Sequence, residues 1–146
     1  PRTPALEDSS KRIKIVFNDT VIVDSQQTKR VLETSHPPVY YIPTADIAMD
    51  CLSEAAGTSF CEWKGRARYY TVTVGDRVAE RVAWCYPTPT ERFASIADYV
   101  AFYPSAMDAC YIDDEQVQAQ TGDFYGGWIT SDIVGPFKGG AGTWGW

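Results

Sequence analysis

Hydrophobic positions along this chain fall in short β-branched and aromatic runs bounded by polar, glycine or proline residues, the pattern of many short strands. "IKIVFNDTVIVDS" holds two such runs, Ile13–Phe17 and Thr20–Val23, on either side of Asn18-Asp19, and predicts a hairpin. "KRVLETS" and "VYYI" give two further short elements. In "PTADIAMDCLS", Thr44 can cap while Ile47, Met49 and Cys51 alternate with their neighbours, which predicts a short helical turn and then a strand. The clearest hairpin is "ARYYTVTVGDRVAERVAWCY", bending at Gly75-Asp76.

One helix is expected. In "TERFASIADYV", Thr90 can cap, and Phe93, Ile96, Ala97 and Val100 recur at helical spacing. "VAFY" is a strand broken by Pro104, and "MDACYIDDEQVQAQ" reads equally as a strand or an acidic helix. Residues 1–10 are polar, contain two prolines and show no period, so a flexible arm is expected there. Residues 122–146 hold 8 of the 11 glycines and 3 of the 5 tryptophans. They are expected to wrap over the domain or a partner subunit through Trp128, Phe137, Trp144 and Trp146, with a partly ordered tail as the alternative. Between arm and tail, residues 11–121 form the body. The fold class is mainly β: a compact pair of packed antiparallel sheets with one short helix and an extended C-terminal tail.

A chain of 146 residues can bury a core without staples, as one domain. Its 13 basic and 19 acidic residues leave a net charge of −6, which argues against a nucleic-acid partner. No apolar run is long enough to span a bilayer and no leader-like segment opens the sequence, so a cytosolic location and no membrane partner are expected. Cys51, Cys61, Cys85 and Cys110 lie 10, 24 and 25 residues apart, with no close pair. Free thiols are expected, with no metal site and no cofactor.

Several segments together resemble a known family. "HPPVYYIP" with Asp46 after it, "CEWKG" leading into "ARYYTV", "VAWCYPTP" and "YVAFY" occur in order across residues 13–115 and resemble the domain-of-unknown-function 427 family, which also carries the label nucleotidyltransferase-like. "YGGWITSDIVGPFKG" resembles the tail of a cyanobacterial and fungal subset. The resemblance implies a β-tent, two antiparallel sheets meeting at an angle. Relatives of that fold bind zinc at the apex through cysteine pairs, and some hold small ligands in aromatic pockets. This sequence lacks those pairs, and has Glu62 and Trp63 where the family more often shows Pro and Tyr.

Three stretches offer chemistry. In "SHPPVYYIP" the two prolines stiffen an extended segment, so Tyr40 and Tyr41 must point to opposite sides, one into the core and one toward a pocket. His36, the only histidine, is a candidate acid, base or polar contact, or a structural turn residue. In "TSFCEWKG" an ammonium at Lys64 could favour the Cys61 thiolate, or meet an anionic ligand with Arg66 and Arg68 beside it. In "AWCYPTP", Trp84 and Tyr86 share a strand face. If Tyr40 or Tyr41 meets Trp84 and Phe102, an apolar cleft with a few polar contacts results. The tail's "KGGAGTWG" lacks the order of a phosphate loop, and "DDE" at 113–115 lacks the spacing of paired magnesium ligands, so no motif holds a triphosphate.

Two functions follow as expectations. The first is a small-molecule-binding module, with Tyr40, Tyr41, Trp84, Tyr86 and Phe102 for stacking and His36, Lys64 and Arg66 for polar contacts. The alternative is an enzyme on a small metabolite, using His36 as acid/base or Cys61 as a nucleophile activated by Lys64. A homodimer exchanging the Trp-rich tail is a third reading.

Overall fold

The structure, a computed structural model, describes residues 3–120, 126–133 and 135. In chain order, β1 (Ala5–Ser9), β2 (Ile13–Phe17), β3 (Thr20–Ser25), β4 (Thr28–Leu32) and β5 (Val39–Tyr41) open it. The middle consists of β6 (Leu52–Cys61), β7 (Gly65–Val74), β8 (Arg77–Cys85) and β9 (Val100–Phe102). Then come β10 (Ala109–Ile112), β11 (Glu115–Gln116), β12 (Gln118–Ala119) and β13 (Trp128–Ile129). Among the described residues, every pairing between these strands is antiparallel.

The mainly β class is as expected, though the strands divide into more than two sheets. Their orders are β1-β4-β5, β11-β10-β2-β3, β6-β7-β8-β9 and the ribbon β12-β13. Just past β5, Ile42 exchanges both backbone hydrogen bonds with Val100 of β9 at 2.9 Å, so the first sheet runs on into the third. Two apolar clusters form. Ile13, Ile15, Phe17, Tyr40, Phe102 and Trp128 belong to the larger one. Tyr41, Trp84, Tyr86, Phe93 and Ile96 belong to the smaller one, which backs the cavity described below.

Both predicted hairpins form, and each turn uses the left-handed backbone its sequence suggests: φ is 49° and 60° at Asn18 and Asp19, and 62° at Gly75. "PTADIAMDCLS" gives two single 3-10 turns, Thr44–Asp46 and Met49–Cys51, and then β6. "MDACYIDDEQVQAQ" resolves to short strands.

The expected N-terminal arm is corrected in part. Residues 5–9 form β1, paired with β4, and the ion pairs Glu7–Arg30 and Asp8–Lys29 follow that register. An edge strand exposed on most of its length has no buried face to write a period into the sequence. The helix is also altered. Glu91–Ile96 is a short 3-10 segment with a non-helical Phe93, and the buried Phe93 and Ile96 fit its three-residue turn. Thr90 does not cap it; its hydroxyl donates to the Trp63 carbonyl instead. Of the expected tail anchors, Trp128 is fully buried, with its ring 5.3 Å from that of Tyr40 and its indole N–H donating to the Phe102 carbonyl at 3.4 Å. Phe137, Trp144 and Trp146 lie outside the described residues. Among the described residues no helix is long and apolar enough to cross a membrane.

Candidate functional site

Four segments distant in sequence enclose a cavity of about 210 Å³. The first is the turn that precedes the proline pair. Ser35 takes a φ of 62° and the His36 N–H donates to the Glu33 carbonyl at 3.1 Å. This turn sets Glu33 and His36 on one wall. Pro37 and Pro38 then carry the chain, extended, into β5. Pairing with β4 fixes the outcome for the tyrosine pair: Tyr40 enters the larger core and Tyr41 faces the cavity.

Trp84 and Tyr86, on one face by strand alternation, supply the next wall. The Tyr41 and Trp84 rings meet edge-on with centroids 6.4 Å apart, and the indole N–H donates to the Tyr41 hydroxyl at 3.3 Å. Tyr86 lies 6.2 Å from Tyr41. Burial pushes both phenols upward, so each is a neutral donor and acceptor at any physiological pH.

The third wall is Lys64. Gly65, with φ of 107°, turns the chain sharply beside the "PTPT" segment, where the Thr90 N–H donates to the Lys64 carbonyl at 3.1 Å. A Cβ at Gly65 would sit 3.3 Å from the Thr88 carbonyl oxygen. This clamp brings the "CEWKG" and "AWCYPTP" stretches together. The Lys64 residue is 7% exposed and its ammonium donates to the Glu33 carboxylate at 2.6 Å, with the Tyr86 ring centroid 5.9 Å away. Burial by itself lowers an ammonium's pKa, but the charge of Glu33, reinforced by Tyr86 and the hydrogen bond, outweighs it and raises Lys64 overall.

The fourth wall comes from the segment after the family-like body. Gln120 approaches His36 Nδ1 through its amide nitrogen at 3.4 Å, and Gly126 and Gly127 close against Trp84 and Pro37. A Cβ added to Gly126 would lie 2.3 Å from the Trp84 ring, and one on Gly127 would lie 2.3 Å from the Pro37 ring.

The structure thus brings His36, Tyr41, Lys64, Trp84 and Tyr86 to one cavity. Three other expected lining residues lie elsewhere. Tyr40 and Phe102 are in the larger core, because the β8–β9 register sets Phe102 opposite Ala83 and leaves Ala101 opposite Trp84. Arg66 is exposed and donates to Thr58 at 3.3 Å; alternation along β7 turns Arg66 and Arg68 away from the face that carries Ala67 and Tyr69. Cys61 is half-buried beside the smaller cluster and outside the lining. Sequence reading missed Glu33, Tyr69, Tyr103, Gln120 and the glycine pair. Tyr103 had a signal: it follows Phe102, so alternation points it to the Trp84 side, 4.5 Å from that ring. Tyr69 is the cross-strand partner of Trp84, a relation that only the register reveals.

Free thiols are found at all four cysteines. Among the described residues, no three His, Cys, Asp or Glu side chains gather as a metal site. No curated protein matches the chain. The family model described as a domain of unknown function (DUF427) matches residues 5–113, that is 109 of the 146 residues. That span includes three of the cavity's four walls, and the fourth lies beyond it. The chain therefore belongs to the DUF427 family.

Proposed function

We propose that this protein binds a small molecule that presents a planar body to Tyr41, Trp84 and Tyr86 and an anionic or carbonyl acceptor group to Lys64. The observation that carries the reading is Lys64 itself. It is the one charged side chain among the buried described residues, and it is aimed into an aromatic cavity. An ammonium has three donors, and among the described residues only Glu33 accepts one. Desolvated N–H groups beside a cluster of aromatic rings suit an acceptor group on a flat ligand. The cavity's modest volume favours a ligand of one ring. The compartment this reading assumes is the cytosol.

Thermal-shift measurements on the intact chain test it, with benzoate, 4-hydroxybenzoate, phenyl phosphate and a nucleoside monophosphate as probes. At least one is expected to raise Tm in the natural sequence and to leave Lys64→Met unmoved. No rise with any of them overturns the reading.

A second reading, an enzyme acting on a small metabolite, draws on the presence of His36 on the same wall. Its Cys61 form has less support, since Cys61 does not line the cavity. Turnover of a bound probe that is lost in His36→Ala, with binding kept, would favour the enzyme over the module.

A further inference from the structure

A second cavity of about 310 Å³ adjoins the first, and Tyr69 and Tyr103 line both. Arg81 also lines it, with its guanidinium carbon 4.3 Å from the Tyr69 ring centroid.

The sheet is distorted around this guanidinium from two directions. From Glu54 to Thr58, β6 takes four steps while its partner β7 takes two, from Tyr70 to Arg68. From Ala79 to Ala83, β8 takes four steps while β7 again takes two, from Val72 to Tyr70. A bulge therefore flanks the middle of β7 on each side. Each bulge holds a left-handed residue, Gly57 with φ of 90° and Arg81 with φ of 54°. For arginine that conformation is strained.

One side chain ties the two bulges together. Arg81 Nη1 donates to the Ala56 carbonyl across β7, and the Arg81 backbone N–H donates to Thr71 Oγ1 at 3.3 Å. A Cβ on Gly57 would lie 2.7 Å from Nη1, so the glycine keeps that space open. Bulges commonly re-aim side chains next to functional sites. Here both serve to lay an exposed guanidinium over the ring that divides the two cavities.

We propose that the ligand is elongated, with a second acidic group held by Arg81 beyond the Tyr69–Tyr103 partition. This deepens the Lys64 reading and rests on it. A guanidinium has five N–H donors, and the Ala56 carbonyl takes one of them. Glu80 shares the second cavity, so the acidic group meets the guanidinium on the side away from that carboxylate. Length follows from the shared lining: a ligand that meets Lys64 in the first cavity and Arg81 in the second must pass the Tyr69 and Tyr103 rings common to both. The ligand class is therefore an elongated dianion whose first ring fills the Trp84 cavity.

Calorimetry on the full chain with benzoate and biphenyl-4,4′-dicarboxylate tests the proposal. The dicarboxylate is expected to bind about tenfold more tightly than benzoate, the scale of one charge-assisted bidentate contact. Arg81→Gln should remove that gain, leave benzoate affinity unchanged and so report its own folded state; Arg81→Lys should retain part of the gain. Equal affinity for the two probes in the natural sequence, a comparison that needs no variant, overturns the Arg81 subsite and leaves the Lys64 reading standing. A gain that survives Arg81→Gln overturns the subsite as well. Failure of both probes to bind overturns the Arg81 subsite, and the Lys64 reading falls with it only when none of the four thermal-shift probes raises Tm.

Discussion

The Lys64 ammonium and the Glu33 carboxylate, 2.6 Å apart, are unequally buried: the lysine side chain is 9% exposed and the glutamate side chain 33%. Water can reach the carboxylate and scarcely reaches the ammonium. Removing the carboxylate therefore leaves a buried cation without a partner, whereas removing the ammonium leaves an anion that water can solvate. Glu33→Gln is expected to cost about 3 kcal/mol and Lys64→Met about 1 kcal/mol. Urea denaturation of both variants checks the order, and a larger loss in Lys64→Met would contradict it.

The same pair fixes the sign of an alkaline pH dependence. With Glu33 present, the folded-state pKa of Lys64 is raised, so the stabilisation is complete below the ordinary lysine value and is lost as pH rises through the folded value. With Glu33→Gln, burial, the largest single cause, is opposed only by Tyr86 and Cys61, and the folded pKa is expected to fall below the unfolded one. The Lys64 contribution to stability should then climb with pH between those two values, because the unfolded chain binds more protons there. The buried Cys85 and Cys110 thiols lower the stability of both proteins as pH rises, so the difference between them is the readout: the urea midpoint of Glu33→Gln should draw closer to that of the natural sequence from about pH 7 to about pH 10. A difference that does not change with pH would show that the ammonium is solvated without its partner.

The glycine pair should tolerate no side chain. Gly127→Ala drives a methyl group to 2.3 Å from the fixed Pro37 ring and 2.8 Å from the Gln120 side-chain oxygen. Gly126→Ala meets only the far edge of the Trp84 indole, which can tilt. Losses of about 1–3 kcal/mol are expected, with Gly127→Ala the more costly. Chemical denaturation gives the ranking, and a shift in tryptophan emission confined to Gly126→Ala would report the tilted indole.

Thiol labelling should divide the cysteines into two pairs. Cys85 and Cys110 are buried, and burial raises both thiols, Cys110 to about 12. Cys51 and Cys61 are half-buried. Iodoacetamide on the native protein is expected to modify Cys51 and Cys61 alone, with the other two reacting only in denaturant. Native labelling at Cys110 would contradict this core.

How much of this was legible in the sequence differs from element to element. The hairpins were, because Asn18-Asp19 and Gly75-Asp76 combine turn chemistry with β-branched flanks. Alternation showed that Tyr40 and Tyr41 must part, but the assignment waited on β4 and Trp128, which take up the Tyr40 side. Phe102 was misplaced because β8 and β9 are joined by residues 86–99, and nothing local in that long connection sets their register. Glu33 gave no signal, since a polar residue in a loop looks solvated until a buried lysine is known to face it. Gly126 and Gly127 stand out in the sequence only as part of a glycine-rich segment, whereas their role is to let backbone approach two rings.

The glycine wall also has a consequence in time. In a chain made from its N-terminus, the residues of three walls precede those of the fourth, which is completed when Gly126 and Gly127 arrive and the Trp128 backbone N–H donates to the Pro38 carbonyl at 2.8 Å. The fourth wall is thus the last to be made, and a chain stalled before residue 126 lacks both that wall and the Trp128 ring of the larger core.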